Sequence, residues 1–321
     1  MIRASIIGLG LVVLGFVWPA SAQVKYTLVD LGTPGGGSSS ANRADNSSQT
    51  PGGVLTADAA TLQAFSAKVK ANNLTDLSTL GGTNSSAQAD PGTLGGNNSL
   101  VNAVDFDEHG QMANQSVGSS SADGDTATHA MSWDANANAK DLGTLGGTNS
   151  SAFGSNCVQK VVGSSETAAE TTDAFVWDSV DGMQDLGTLG GSFGQSNAIN
   201  CRGTIVGMSS LAGDVQIDAF LYADGTMRDL GNLGGSFSQA NAINDSGDVV
   251  GSSNTTGDTD VHAFLWTPKG GLQDLNNLIP TDLGWDLNSA NGINEAGKIV
   301  GVGTINGEGH AFALIPVDTE D

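Results

Sequence analysis

Apolar residues along this chain come in short alternating runs, and no long stretch sustains the period of a helix. The pattern is plainest in residues 195–230. Four short runs, Gln195 to Asn200, Thr204 to Ser209, Ile217 to Tyr222 and Thr226 to Leu230, are separated by Asn200-Cys-Arg-Gly203, the polar stretch Leu211 to Gln216, and Ala223-Asp-Gly225. Gly, Asn and Asp supply the left-handed and side-chain-capped positions that tight turns need, so the spacing predicts four strands joined by hairpins. The segment from Ala57 to Ala71 is the one stretch whose pattern also admits a helix.

The same unit recurs, and such repetition decides the architecture. Asp141-Leu-Gly-Thr-Leu-Gly-Gly returns at Asp185 and, with one change, at Asp229, and a degraded copy starts at Asp274. Those spacings are 44, 44 and 45 residues, and earlier copies start at Asp30 and Asp76. The third run of each copy carries a second marker: His262-Ala-Phe-Leu-Trp266, Asp173-Ala-Phe-Val-Trp177, Asp218-Ala-Phe-Leu-Tyr222, His310-Ala-Phe-Ala-Leu314, His129-Ala-Met-Ser-Trp133 and the weaker Gln63-Ala-Phe65. A Val-Gly pair marks the second run and Asn-Ala-Ile-Asn the first.

About 44 residues and four strands match one blade of a β-propeller better than one coil of a solenoid. The two ends are complementary. Tyr26 to Leu31 reads as a fourth strand without its first three, and His310 to Pro316 as a third strand without its fourth. The expected fold is therefore all-β: a six-bladed β-propeller of ~44-residue four-stranded repeats, closed by pairing of the N-terminal strand in the last blade. Closure also removes two exposed sheet edges. Leu142, Leu186, Leu230, Phe175, Phe220 and Phe264 are expected to fill the spaces between blades. The repeat domain spans 23–317, irregular over 33–140 and regular over 141–317, with an acidic tail at 318–321; five blades beside an unstructured stretch is the structural alternative.

Residues 1–22 stand apart. Arg3, the apolar run Ile6 to Val17, Pro19 and Ala20-Ser21-Ala22 form a secretory signal with a cleavage site before Gln23. The run is too short for a membrane span. The product is expected to be secreted or periplasmic, with no membrane span after cleavage. Cleavage leaves 10 basic against 34 acidic residues, a net charge of −24. Phosphate backbones need clustered Lys and Arg, so nucleic acid is excluded as a partner.

The combination of Asp-Leu-Gly-Thr-Leu-Gly-Gly, Ala-Ile-Asn, Val-Val-Gly-Ser and His-Ala-Phe-Leu-Trp resembles the bacterial extracellular HAF-repeat family. The resemblance covers residues 26–316 and is most specific from 141 onward. It implies an extracytoplasmic repeat protein and carries no catalytic residues with it. Gln63, Asp173 and Asp218 stand where the family triplet has His.

Candidate chemistry is sparse. Gly190-Gly-Ser192-Phe-Gly194 matches the nucleophile-elbow pattern, but Gly234-Gly-Ser236-Phe-Ser238 shows that it is a repeat segment, read here as the link between blades. His109, His129, His262 and His310 lack zinc-site spacing. Asp123, Asp125, Asp214, Asp218, Asp258 and Asp260 fall in or beside the loop between second and third strands, where carboxylates either bind Ca²⁺ or lie solvated. Asn156, Asn200, Asn244 and Asn294, with Asp105 in the same place, end the first strands. They either line a ligand site at one mouth of the propeller or cap their own hairpins. Cys157 and Cys201 occupy the same position of adjacent copies and are either a disulfide or two free thiols. Repetition without a distinct reactive cluster points to a non-catalytic binding or surface-interaction module, Ca²⁺-assisted if the acidic loops bind metal, for an extracellular polymer, glycan or protein. The alternative is a metal-dependent hydrolase or lactonase with an axial site, built around Asp105, Asp107, Glu108 and His109 in the irregular second copy.

Overall fold

The computed structural model describes residues 25–33, 38–42, 49–55, 62–68, 73–76, 95–106, 112–122, 126–134 and 138–317. Among these residues, four-stranded antiparallel units follow one another along the chain. Strand β1 (Lys25–Gly32) comes first. Unit one is β2 (Ser38–Ala41), β3 (Gln49–Leu55), β4 (Leu62–Lys68) and β5 (Asn73–Asp76). Unit two is β6 (Gly95–Phe106), β7 (Met112–Ala122), β8 (Thr128–Asp134) and β9 (Ala139–Asp141). Unit three is β10 (Gly146–Ser155), β11 (Val161–Thr167), β12 (Thr172–Asp178) and β13 (Gly182–Gly187). Unit four is β14 (Gly190–Ile199), β15 (Ile205–Leu211), β16 (Ile217–Ala223) and β17 (Thr226–Gly231). Unit five is β18 (Gly234–Ile243), β19 (Val249–Thr255), β20 (Val261–Thr267) and β21 (Gly271–Asp274). Unit six has β22 (Trp285–Ile293), β23 (Ile299–Ile305) and β24 (Glu308–Val317), and its fourth strand is β1, paired antiparallel with β24 from Lys25↔Val317 to Gly32↔Ala311.

Two local expectations change. Leu62–Lys68, inside the stretch that admitted a helix, is strand β4, paired with β3 and β5. The Gly-Gly segments are not links between units. They open the first strands, as Gly190↔Leu211 and Gly234↔Thr255 show. The link is shorter than the sequence implied because each first strand starts while still bridged to the preceding unit, at Thr172↔Phe193 and Ile217↔Phe237.

The repeated motifs have steric causes. A Cβ on Gly163, Gly207, Gly251 or Gly301 would run into the carbonyl oxygen of Ser151, Gln195, Gln239 or Ser289 on the first strand. The Phe175 and Phe264 rings lie on the same spot of their units, 2.7 and 2.8 Å from such a Cβ. The Val-Gly pair and the third-strand Phe are thus one packing unit: the missing side chain admits the ring.

The core is distributed between units rather than gathered in one centre. Val117, Ala130 and Leu142 of unit two pack on Val161, Phe175 and Trp177 of unit three. Val162, Ala174 and Val176 then meet Ile199, Ile205 and Phe220. Val206, Ala219 and Leu230 meet Val249, Phe264 and Trp266. Adjacent residues such as Val161 and Val162 face opposite neighbours, as strand alternation requires. Leu186 is half-buried in the second of these clusters, and Val300, Ala311 and Ala313 of unit six pack on Leu31 and Ala41.

Candidate functional site

The recurring asparagines serve structure at both ends of their amides. The Oδ1 of Asn200 accepts from the backbone N–H groups of Arg202 and Thr204, at 3.1 and 2.9 Å, which caps its own hairpin. Its Nδ2 donates across to the carbonyl of Asn244, at 3.0 Å. Asn156 makes the same reach to Asn200, and Asn244 to Asn294, at 2.9 and 3.2 Å. All four residues are buried. The turns of adjacent units therefore stand side by side, and the amides that the sequence offered as ligand-binding groups form a ladder instead. Cys157 and Cys201 flank one rung; their Cα atoms lie 5.5 Å apart and the sulfurs are bonded. Asp105 is in strand β6, and its side chain, like Asp107, Glu108, His109, Asp123 and Asp125, lies outside the described residues.

The acidic loop residues are likewise engaged by their own units. Asp214 accepts from the Ser192 N–H and the Ser210 hydroxyl, at 2.7 and 2.6 Å. Asp258 accepts from the Ser236 N–H and the Asn254 amide, at 2.7 and 3.0 Å. Glu166 takes the Thr148 and Asn149 N–H groups in unit three. These bonds hold all three carboxyls below their ordinary range: the Asn149 side chain first for Glu166, the Ser210 hydroxyl for Asp214 and the Ser236 N–H for Asp258. Asp218 is buried and accepts from Gln216 and Asn232, and Asp260 from Thr259. A Ca²⁺ shell needs six to eight oxygens around one point. Among the described residues no group of three or more His, Cys, Asp or Glu side chains converges in that way.

The histidines expose a relationship that sequence reading missed. The Nδ1 of His129, His262 and His310 lies 2.8, 2.7 and 3.0 Å from a carboxylate oxygen of Asp141, Asp274 and Asp30. Each of those aspartates opens the Asp-Leu motif on the strand beside the histidine. The two most regular sequence markers are therefore partners in space. The signal was their constant separation, 12 residues for His129 and His262. In units three and four Asp173 and Asp218 replace the histidine, and carboxylate faces carboxylate. Burial, then the charge of Asp185 against the bond from Thr171, leaves the Asp173 carboxyl raised; burial raises Asp229 in the same way, with Asp218 beside it.

One place departs from the repeat in a manner that makes room. A cleft of about 460 Å³ opens where units two and three meet, lined by Gln115, Ser132, Trp133, Asn138, Val158 and Trp177, among others. Ser132 is paired with Val117. The matching pairs elsewhere place Val176, Leu221, Leu265 and Ala313 at its position. A hydroxymethyl where most units carry a branched aliphatic leaves space at this one interface. Trp133 follows Ser132 on β8 and so turns its side chain to the other face of unit two, as Trp177 does relative to Val176. The Oε1 of Gln115, in a residue 8% exposed, is a buried acceptor without a hydrogen-bond partner among the described residues. On the wall, the Lys140 ammonium sits 4.2 Å from the centroid of the Trp177 ring. At the rim, Lys160 pairs with Asp178 at 3.3 Å, and two Asn138 N–H groups bind the Asp134 carboxylate. The charges of the cleft are thus matched locally, with Val158 (62% exposed) at its mouth. The sequence carried the signal as Ser132 in His129-Ala-Met-Ser-Trp133, a polar residue in an apolar slot.

No family model and no curated protein sequence matches the chain. Solved structures do. The putative TolB of Agrobacterium tumefaciens is similar with a TM-score of 0.50 at 13% identity, over 93% of this chain and 100% of that one. The β-propeller domain of the Trilobed protease from Pyrococcus furiosus, described as having an open velcro topology, gives 0.48 at 11%, over 87% and 84%. A gluconolactonase from Xanthomonas campestris gives 0.47 at 12%, over 92% and 96%. Consecutive four-stranded meanders with cores between them, together with the likeness to the putative TolB, define a β-propeller fold. At these identities the likeness concerns the fold alone.

Proposed function

We propose that the mature chain is a closed six-bladed propeller acting as a non-catalytic binding module outside the cytoplasm, and that its ligand sits in the cleft between units two and three. Several contacts support the ring. Asn102 reaches the Ala152 carbonyl, Asn197 that of Ala240, Asn241 that of Ala290, and Asn291 that of Ala41, so unit six docks on unit one as the earlier units dock on one another. Strand β1 completes unit six.

The observation that carries the binding reading is the room left between units two and three, where Ser132 stands in a slot that Val176, Leu221 and Leu265 fill in other units. Among the described residues, Glu166, Asp214 and Asp258 are engaged in holding loops. The test is a thermal-shift screen of the mature protein against soluble glycans and peptides, run beside an assay for ester and lactone hydrolysis. A saturable rise in Tm without turnover is expected. Turnover abolished by changing Asp105, Asp107 or His109 would replace this reading with the hydrolase. A calcium-assisted form rests on the loop of Asp123 and Asp125, and a fall in Tm with EDTA is its check.

A further inference from the structure

We propose that the Cys157–Cys201 bridge is a redox latch on the cleft between units two and three, released by a dithiol; the proposal rests on the cleft being the ligand's seat and adds how that seat is controlled. The position after each ladder asparagine ties its turn to the next unit. The Cys201 N–H donates to the Asp245 carboxylate, and the Asp245 N–H to that of Glu295, both at 2.9 Å. Between units three and four the same position carries the disulfide instead, across Cα atoms 5.5 Å apart. The Asn156 amide runs the same way, to the Asn200 carbonyl. These ties hold the unit-three turn to unit four, and its other flank builds the cleft. Val158 and Gln159, directly after Cys157, line the cleft, and Lys160 pairs with Asp178 at its rim at 3.3 Å.

Two features make this bridge a point of control rather than a plain staple. Both cysteines are exposed, and exposed disulfides belong to the labile, regulatory class. The turn also closes without the bridge. The Oδ1 of Asn156 accepts from the Val158 and Lys160 N–H groups, at 3.2 and 3.0 Å. Units four and five hold the matching contact through a carboxylate, so the hairpin survives loss of the covalent tie. Release follows ordinary thiol–disulfide exchange. A thiolate of the dithiol attacks one sulfur, and the other cysteine leaves as a thiolate and takes up a proton. The second thiol of the reductant then attacks the mixed disulfide, frees the first cysteine and leaves the reductant as a disulfide. Two electrons and two protons pass to the protein. The fold stays, and the cleft wall formed by Val158 and Gln159 loses its covalent hold on unit four.

The experiment is amide hydrogen exchange of the ¹⁵N-labelled mature protein before and after treatment with dithiothreitol, a small dithiol, beside the double variant Cys157→Ser, Cys201→Ser. The Val158 and Lys160 amides should exchange about tenfold faster in the reduced protein and in the variant, as local opening becomes easier. The indole signal of Trp177, on the cleft wall, should move with them. The Asp248 amide, capped by Asn244 in the matching turn of unit five, should exchange at its former rate, and reoxidation should restore the starting values. Unchanged exchange at Val158 and Lys160 with the Trp177 signal unmoved would overturn the latch. Loss of the cooperative melt on reduction would overturn it too, because the bridge would then hold the whole fold. Reduction of the folded wild type carries the test if the double variant folds poorly. No ligand enters the measurement, so an empty thermal-shift screen, which would remove the binding reading, is distinguishable from failure of the latch.

Discussion

The Nδ1 of His310 lies 3.0 Å from the Oδ1 of Asp30, across 280 residues of sequence, and the contact repeats what His262 and Asp274 do 12 residues apart. The N-terminal strand has taken the place of a missing fourth strand in every respect. The Asp30 carboxylate also accepts from the Gly32 N–H at 2.8 Å, as Asp229 does from Gly231 at 2.7 Å. Asp30→Ala removes both bonds at the seam. Because Asp30 is partly solvated, the expected loss is about 1 kcal/mol in urea denaturation. A loss well beyond that, with a reduced m-value, would show that the seam holds more of the fold than its own bonds.

Asp173 meets Asp185 where other units have a His–Asp pair. Its raised carboxyl stabilises the fold only while protonated, so this site loses stability as pH rises through the folded pKa. Asp173→His restores a donor to Asp185. At pH 7 the variant should be more stable, by under about 1 kcal/mol after solvent screening, and the gap should narrow towards pH 4. Melting curves at the two pH values check it.

The asparagine ladder makes a sharper demand. Asn200→Ala leaves two backbone N–H groups and the Asn244 carbonyl without their partner. The expected cost is roughly 2–3 kcal/mol. Asn200→Asp keeps the hairpin cap but loses the donor, and should fall between wild type and alanine in chemical denaturation.

Tyr26 is packed among Leu275, Leu278 and Ile293. Burial, and then the charge of Asp248, pushes its hydroxyl up to about 12. The unfolded chain ionises near 10, so the native state holds the extra proton between these values and stability falls as pH rises through that window. Two pKa units correspond to roughly 2–3 kcal/mol. Wild type should lose that stability between pH 9 and 12, and Tyr26→Phe should not. Urea unfolding across this range measures the difference.

Much of the fold was legible because the repeat fixes it. The four runs in 195–230 became β14 to β17 with boundaries moved by a few residues, and the complementary ends met as β1 and β24. Register and hydrogen bonding were not legible. Asn200 reads equally well as ligand or cap until its neighbour's carbonyl is seen beside it. Cys157 and Cys201 have a fixed sequence spacing, but only the side-by-side turns decide their bonding. The cleft was hidden for a related reason. Ser132 is unremarkable in its own strand, and its meaning appears when Val176, Leu221 and Leu265 are placed in the same slot of other units.

The most direct measurement is the indole region of a ¹H–¹⁵N spectrum during titration with a ligand that raises Tm. A chain from Gln23 onward has four tryptophans, Trp133, Trp177, Trp266 and Trp285, and Trp177→Phe assigns the signal of the one that unit three contributes to the cleft wall. The Trp177 resonance should move and saturate with the same midpoint as the rise in Tm. A binding isotherm with the Trp177 signal unmoved would contradict the cleft as the ligand's seat.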